Sequence, residues 1–444
     1  MAVHPIEYRY GRAEVKKIFE EETRVKYMLL TEAALAQAHA SVGNIPQAAA
    51  DEIKEKAKLD YVCLDRVKAI EAEIHHDVMA LVKALDEQCG DSGKYIHLGA
   101  TSNDVTDTAL ALQIRDYIFL LEKNLLDLRN VLLSQAEKHK KTVCVGRTHA
   151  QHAVPTTYGL KFGIWAAEMQ RHLERLNEIK PRILVGQMTG AVGTQAAFGE
   201  HAAEIQRQVM VELGLGSVDL SNQVIQRDRH SEFMLHLALI SESLNKFSTE
   251  IRNLQRTEIM EVAEGFRKKQ VGSSTMPHKM NPIYAERICG LSRIVKSCGV
   301  TSLENIPLWH ERDLTNSSPE RIILPEAAII LDYILQLSID LMENLVFHPE
   351  NIKRNLEMTG GRIMAESVMI SLVEAGVSRQ KAHEMVRECA LESVREKTSF
   401  KDKLLAHKEV STHLSEKQVD EALDPANYVG TAEKQVQDLA EKYS

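Results

Sequence analysis

The chain has 444 residues and a formal net charge of −9 at pH 7. A chain of this length can form two or three domains, each with its own core. The acidic balance disfavours nucleic-acid binding, which needs clustered Lys and Arg, but a small anionic ligand needs only local positive charge. The N-terminal stretch lacks an apolar core, and no uncharged apolar run approaches the roughly 20 residues of a membrane span. We therefore expect a soluble, cytoplasmic protein without a membrane partner.

The cysteines are scattered along the chain without a C-x-x-C pair, a pattern typical of reduced cytosolic thiols. They are Cys63, Cys89, Cys144, Cys289, Cys298 and Cys389.

Three long stretches without glycine or proline dominate the middle of the chain. They run over residues 103–145, 217–264 and 326–348. Within them apolar residues recur at spacings of three and four, which is typical of a buried helix face. A helix of 40 residues is about 60 Å long, and helices of that length pack into extended bundles. Because strand signals are weak, the sequence predicts an all-α fold with a long central helical bundle.

The same pattern predicts three domains. An N-terminal helical domain covers residues 1–96, the long-helix bundle covers 97–347, and a C-terminal helical domain covers 348–444. We expect helices near 361–375 and 378–397 in the last of these.

Two polar clusters precede or begin the bundle. HHDVM (75–79) contains adjacent histidines that point about 100° apart on a helix, so they cannot chelate one metal side by side, and a solvated helix face is the simplest interpretation. HLGATSNDVTDTAL (97–110) places Thr101, Ser102 and Asn103 before the first long helix. These residues predict an N-cap, and a helix N-terminus can also bind an anion.

Two further clusters lie inside the bundle region. In GRTHAQHAVPTT (146–157) the spacing of Cys144, His149 and His152 does not match a zinc site, so we predict no metal. VGQMTGAVGTQAAFG (185–199) lacks the G-x-G-x-x-G pattern after a strand, and a glycine turn between helices is the better interpretation.

Two later stretches combine cations with hydroxyl groups. GSSTMPHKMNP (272–282) is framed by Gly272, Pro277 and Pro282, which disfavour helix and predict a polar loop. LWHERDLTNSSPER (308–321) brings Arg312 and Arg321 close to paired serines. Guanidinium groups bind phosphate or carboxylate bidentately, so this stretch is either an anion site or a charged connection between helices.

Together these stretches resemble the fumarase/aspartase superfamily. GSSTMPHKMNP is similar to its signature loop, G-S-S-x-M-P-x-K-x-N, and the stretches at 146–157 and 97–110 are similar to its other conserved regions. EYRYGRAE, HHDVMA, SNQVIQRDRH (221–230) and WHERDLTNSSPERIILPEA (309–327) resemble the adenylosuccinate lyase family in particular, over nearly the full chain. The resemblance implies a three-domain fold and a homotetramer with a twenty-helix core, whose active sites combine residues of three chains. It also implies a carbon–nitrogen lyase without metal or organic cofactor that releases fumarate from adenylosuccinate, giving AMP, and from succinyl-aminoimidazole carboxamide ribotide.

The resemblance also implies roles for individual residues. Ser273 matches the base that removes a proton next to a carboxylate, and Lys279 matches the cation that stabilises the resulting charge. His149 matches the general acid, and Glu286, expected about two turns into the helix after the loop, matches the carboxylate that orients it. The residues implied in binding the nucleotide substrate are Arg9, Tyr10, His75, His76, Asp77, Thr101, Ser102, Gln223, Asn281, Arg312, Ser317 and Arg321. Many relatives have Arg-His-Asp at 75–77, and a mostly neutral imidazole at His75 supplies less positive charge than arginine.

Two alternatives remain open at this point. One is another enzyme of the same fold, such as a carboxymuconate cycloisomerase, although a substrate without phosphate has no use for Arg9, Ser317 and Arg321. The other is a non-catalytic structural protein of crystallin type, which would not require Ser273 together with its three partner residues.

Overall fold

The computed structural model describes residues 3–265, 275, 276 and 278–443, and these residues are predominantly helical. The predicted all-α class is confirmed. The first helices are short apart from α3, whose alanine-rich face packs against α4. They are α1 (Pro5–Tyr8), α2 (Ala13–Phe19), α3 (Glu21–Ser41), α4 (Gln47–Lys56), α5 (Leu64–Ile74) and α6 (Asp77–Asp86).

The predicted long helices are present. The longest has 37 residues and a length of about 55 Å at the usual rise per residue. It begins directly after Thr101, so only this residue of the predicted N-cap stretch precedes the helix, and Ser102 and Asn103 lie in its first turn. The Asp104 carboxylate accepts the Thr101 N–H at 2.9 Å. The helices of this region are α7 (Ser102–Lys138), α8 (Tyr158–Ile183), α9 (Ala202–Leu213), α10 (Asp228–Leu254), α11 (Ile283–Leu303) and α12 (Ser317–Glu343).

The C-terminal part is a set of shorter helices, and those predicted near 361–375 and 378–397 are confirmed as α14 and α15. They are α13 (Pro349–Glu357), α14 (Ala365–Glu374), α15 (Arg379–Glu396), α16 (Phe400–Ala406), α17 (Lys408–His413), α18 (Glu416–Leu423) and α19 (Ala432–Tyr443). Short 3₁₀-helical segments occur at Gly90–Tyr95, Ala196–His201, Arg362–Met364 and Pro425–Tyr428.

Strands also occur in the described chain, and one pair forms a β-hairpin that the weak strand signals of the sequence did not predict. That pair is antiparallel, and the other two pairings join strands of only two residues. The strands are β1 (Val143–Thr148), β2 (Gln151–Thr157), β3 (Val185–Gly186), β4 (Gly216–Ser217), β5 (Val262–Ala263) and β6 (Val346–Phe347).

The chain divides into two compact units, neither of which is continuous in sequence. The first unit comprises Met1–Leu125, Arg171–Leu244 and Gly290–Gln336, and the second comprises Leu126–Gln170, Asn245–Cys289 and Leu337–Ser444. One core of the first unit joins α3, α4, α6 and α9, while in the second unit α14 to α18 enclose a core of their own. The three-domain division stays a prediction.

One helix of the described chain, Ser317–Glu343, is long and apolar enough to cross a membrane by length and composition, but 67% of its most apolar window is buried within the protein. Burial of this kind is typical of the core helix of a soluble protein.

A buried histidine in α10 predicts that stability depends on pH. Burial, assisted by the charge of Arg175, lowers the pKa of His236 to about 4 from its ordinary 6.5. Between these values the unfolded chain binds a proton that the folded chain does not, so stability falls as the pH falls through this window. We expect the melting temperature of the wild-type protein to drop between pH 7 and pH 5.

The His236→Gln variant tests this assignment. It should show a smaller drop in melting temperature over the same pH range than the wild-type protein. The control is His413→Gln, because His413 is exposed and its loss should leave the drop unchanged. An equal drop in all three proteins would rule out His236 as a source of the acid sensitivity.

Candidate active site

A cavity of about 290 Å³ in the first unit brings together five of the predicted binding residues. It lies among α6, the start of α7, and the segment that leads into α12. The predicted residues in its walls are Asp77, Ser102, Arg312, Ser317 and Arg321.

The Asp77 carboxylate lies between two guanidinium groups in this cavity. Its Oδ2 atom accepts hydrogen bonds from Arg24 Nη2 and Arg321 Nη2, each at 3.0 Å. Burial acts to raise the pKa of Asp77, but the charges of Arg24 and Arg321 outweigh it and hold the pKa below its ordinary value. The carboxylate is therefore ionised, and it holds the arginines at the cavity wall.

Arg312 and the start of α12 form the side of the cavity that suits an anion. Arg312 Nη1 donates to Gln223 Oε1 at 3.1 Å, while its buried Nε has no partner among the residues that the structure describes. Ser317 is the first residue of the 27-residue helix α12. The N–H groups at a helix start and a guanidinium group both favour phosphate or carboxylate.

The histidines before Asp77 form a junction between two helices, so the prediction that they lie on a solvated face of one helix is wrong. His75 ends α5 with a φ of 54°, in the left-handed region. His76 caps α6, and its Nδ1 accepts the N–H of Met79 at 3.3 Å. This break in the helix places Asp77 in the first turn of α6.

Arg9 and Tyr10 lie elsewhere in the first unit and are not in the wall of this cavity. The Arg9 guanidinium lies 5.8 Å from the centre of the Tyr10 ring, and that ring lies 5.5 Å from the ring of Tyr333 in α12. Their approach to a nucleotide stays a prediction.

In the second unit, His149 lies in the turn of the β1–β2 hairpin. Thr148 pairs with Gln151, so His149 and Ala150 are the two central residues of the turn, with φ values of 53° and 61°. Turns with positive φ at both positions normally contain Asn or Gly. Another residue in this conformation adds strain on the order of 1–3 kcal/mol to the folded chain. The His149 side chain is exposed, so the strained turn presents an imidazole at the surface.

Buried Glu261 joins both ends of this hairpin to the rest of the second unit. Its carboxylate accepts hydrogen bonds from the Arg147 guanidinium and the Tyr158 hydroxyl. Arg147 lies in β1 just before the turn, and Tyr158 directly follows β2. It also accepts from Asn355 Nδ2 at 2.8 Å. The side chain of Glu261 is fully buried, so these contacts fix the hairpin that carries His149.

Of the remaining predicted catalytic residues, the structure describes Lys279, which precedes α11, and Glu286, which lies within it. Ser273 lies outside the described residues. Lys279 is exposed in a turn in which its N–H bonds the Met276 carbonyl at 3.0 Å. Glu286 is in the first turn of α11, so its expected place two turns into the helix is wrong: the helix starts at Ile283, directly after Pro282. Within the described ranges, no hydrogen bond or ion pair joins the side chains of His149, Lys279 and Glu286.

Comparisons with known proteins connect this geometry to a family. The family described as Lyase matches residues 7–296, and the family described as Adenylosuccinate lyase C-terminus matches residues 361–439. The adenylosuccinate lyase of Pyrococcus horikoshii is 54% identical over 441 residues, which is 99% of this chain and 98% of that protein. The enzyme of Methanothermobacter thermautotrophicus is 54% identical over 444 residues, which is 100% of this chain and 99% of that protein. The chain belongs to the adenylosuccinate lyase family of the fumarase/aspartase superfamily.

Solved structures show that this fold is shared beyond the adenylosuccinate lyases. A fumarate lyase from Mesorhizobium sp. BNC1 superimposes with a TM-score of 0.89 at 32% identity, covering 97% of this chain and 98% of that one. A 3-carboxy-cis,cis-muconate lactonizing enzyme from Pseudomonas putida gives a TM-score of 0.89 at 34% identity, covering 99% and 98%. The fold alone therefore does not separate the lyase from the cycloisomerase alternative. The higher identity to adenylosuccinate lyases and the match to their C-terminal region favour the lyase over the cycloisomerase.

The structure adds residues to the adenylosuccinate lyase cavity that the sequence did not single out. Arg24 lies in the first turn of α3, where nothing in the local sequence distinguishes it from the other cations of the N-terminal helices. Arg227, Asp107 and Glu320 form a buried ion-pair cluster that also lines the cavity. The three residues lie in separate polar stretches, 97–110, 221–230 and 308–321, and no single stretch indicates that they form one cluster.

Proposed function

We propose that this adenylosuccinate lyase family member splits adenylosuccinate into AMP and fumarate in purine biosynthesis. It would also release fumarate from succinyl-aminoimidazole carboxamide ribotide by the same β-elimination. The observation that carries this proposal is the 54% identity to adenylosuccinate lyases over the whole chain. The arginine-rich cavity of the first unit supports it, because both substrates carry a phosphate group.

Elimination requires a base, an acid and a cation, and the chain supplies a candidate for each. Ser273 would remove the proton next to a succinyl carboxylate, provided that its hydroxyl is ionised. Lys279 would stabilise both the ionised hydroxyl and the extra negative charge of the substrate carboxylate as the proton leaves. His149 would protonate the leaving nitrogen, a role worth about 10²–10⁴-fold for a well-placed acid. Glu286 would orient this imidazole and favour its protonated form.

The candidate binding residues divide into two groups, one for each charged part of the substrate. Arg9, Tyr10, Arg312, Ser317 and Arg321 would hold the nucleotide phosphate and its neighbouring groups. The residues that would contact the succinyl carboxylates are Thr101, Ser102, Gln223 and Asn281, with His75, His76 and Asp77 nearby. No metal or organic cofactor takes part in this scheme, since the leaving nitrogen is protonated and the carboxylate charge is met by Lys279.

We also propose that the protein is a cytoplasmic homotetramer whose active sites combine residues from different chains. Apolar side chains are exposed on two long helices of the first unit, at spacings that place them on one face of each helix. On α10 Leu235 is 40% and Leu239 47% exposed, and on α11 Val300 is 56% and Leu303 41% exposed. A second copy of the chain would cover these faces, and the exposed His149 would then act on a substrate held by a neighbouring chain.

A direct assay tests the proposed reaction. The purified protein incubated with adenylosuccinate should consume the substrate's ultraviolet absorbance while fumarate appears in equal amount. The Ser273→Ala protein, purified in the same way, is the control for contaminating host enzyme and should be nearly inactive. If the wild-type protein forms no fumarate, or if both proteins form it equally, the proposed function is wrong.

A further inference from the structure

Two buried side chains of the second unit bond to the segment that carries Lys279, Asn281 and Glu286, and neither has a role in the mechanism above. The first is Gln255, which directly follows α10 and is 5% exposed. Its Nε2 donates to the Met280 carbonyl at 3.0 Å, and its Oε1 accepts the N–H of Glu264 at 3.0 Å. One amide group therefore ties Glu264 to the backbone between Lys279 and Asn281.

The second side chain is Glu264, which directly follows β5 and is 2% exposed. Its carboxylate accepts the N–H of Tyr284 at 3.1 Å and the N–H of Ala285 at 2.7 Å. Both are first-turn amides of α11, which have no partner within the helix. A carboxylate at this end is also favoured by the helix dipole. Burial raises the pKa of Glu264, while the two N–H groups oppose this by favouring the ionised form.

We propose that Gln255 and Glu264 are positioning residues for the elimination reaction. The bond to the Met280 carbonyl fixes the backbone on which Lys279 and Asn281 lie. The bonds to Tyr284 and Ala285 fix the start of α11, and with it Glu286. This inference rests on the proposed function, because those three residues matter only if they act on the substrate.

A matched control separates positioning from simple stabilisation. Gln135 is also buried in the second unit, and its Nε2 donates to the backbone carbonyl of Met342 at 2.7 Å. Gln135→Met therefore removes the same kind of bond as Gln255→Met, but away from the catalytic segment. Gln255→Met should lose more thermal stability than Gln135→Met, because it also leaves the Glu264 N–H without its acceptor, so kcat is compared at a temperature at which both variants are folded.

The kinetic test compares these two variants in the full-length enzyme. Gln255→Met should lower kcat about 100-fold, because a displacement of catalytic groups by about 1 Å can lower the reaction rate by this factor. Gln135→Met should keep the wild-type kcat. The affinity for AMP should be unchanged in both, since AMP lacks the succinyl group that the displaced segment contacts. Equal kcat values for the two variants would overturn the proposal.

Hydrogen exchange provides a second test that needs no catalysis. Glu264→Gln keeps the side-chain volume but replaces one accepting oxygen with an NH₂ group, which cannot accept the N–H it faces. At least one of the amides of Tyr284 and Ala285 should then exchange faster than in the wild-type protein, and Gln135→Met should leave both unchanged. Unaltered exchange in Glu264→Gln would contradict the positioning role. A wild-type enzyme that forms no fumarate would instead contradict the proposed function.

Discussion

His149→Ala should lower kcat by about 10²–10⁴-fold, the usual worth of a positioned general acid. The fold should be preserved, because the His149 side chain is exposed in the hairpin turn and alanine already occupies the next position with a similar φ. Circular dichroism and size-exclusion chromatography should match the wild-type protein. A variant with wild-type kcat would show that His149 is not the acid.

Mixing of inactive variants tests whether different chains supply His149 and Ser273. When His149→Ala and Ser273→Ala subunits are coexpressed in equal amounts, about a quarter of the sites in a symmetric oligomer should contain both native residues. Activity should recover to about that fraction. The control mixture of His149→Ala with His149→Gln should stay inactive, because every site lacks the imidazole. If the first mixture also stays inactive, the two groups do not come from different chains.

The helices were the most predictable part of this molecule. Residues 103–145 contain no glycine or proline, and α7 fills most of that window, from Ser102 to Lys138. The helix prediction fails at the end of this window, where Val143 begins β1. Local propensity does not fix that transition, because the strand forms through pairing with β2, which lies beyond the turn.

The β-hairpin and the 75–77 junction were missed because their backbone conformations lack the usual residues. A two-residue turn is normally recognised by Asn-Gly, whereas this one contains His149 and Ala150. Pro155 in β2 also argues against a strand. At the junction, His75 takes the left-handed conformation that glycine or asparagine usually indicates. Such strained positions concentrate at functional sites, where local sequence rules are least reliable.

The cavity was only partly predictable. Arg312, Ser317 and Arg321 lie within ten residues of each other, so their sequence already suggested an anion site. Arg24 meets Asp77 across 53 positions of sequence, and only the packing of α3 against its neighbours brings them together. Family resemblance predicted which residues bind the substrate, and the structure showed which groups hold some of those residues in place.

The second large effect is expected at the buried cluster around Arg227. All five N–H groups of this guanidinium are used. Two of them donate to Asp107 at 2.7 and 2.9 Å, two donate to Glu320 at 2.8 and 3.2 Å, and one donates to the Ile225 carbonyl at 2.7 Å. The side chains of Arg227 and Asp107 are 3% and 4% exposed. The cluster therefore joins α7, the start of α10 and the first turn of α12 with almost no solvent.

Arg227→Met should destabilise the protein by about 3–5 kcal/mol, because it leaves two buried carboxylates without a cation. Burial acts to raise the pKa of Asp107, but Arg227 holds it below its ordinary value. The variant therefore has to keep an uncompensated charge or take up a proton. We expect unfolding at a lower guanidinium chloride concentration than for the wild-type protein. The loss should shrink as the pH is lowered and Asp107 becomes protonated.

Arg66→Met is the matched control for this measurement. Arg66 also forms a two-point ion pair, with Glu87, but the two side chains are 48% and 40% exposed. Exposed pairs contribute little because water solvates both partners after the pair is broken. The control should unfold at nearly the wild-type denaturant concentration. If Arg227→Met behaves in the same way, the Asp107–Arg227–Glu320 cluster does not hold the three helices together. The position of Ser317 and Arg321 at the cavity would then have to depend on other contacts of α12.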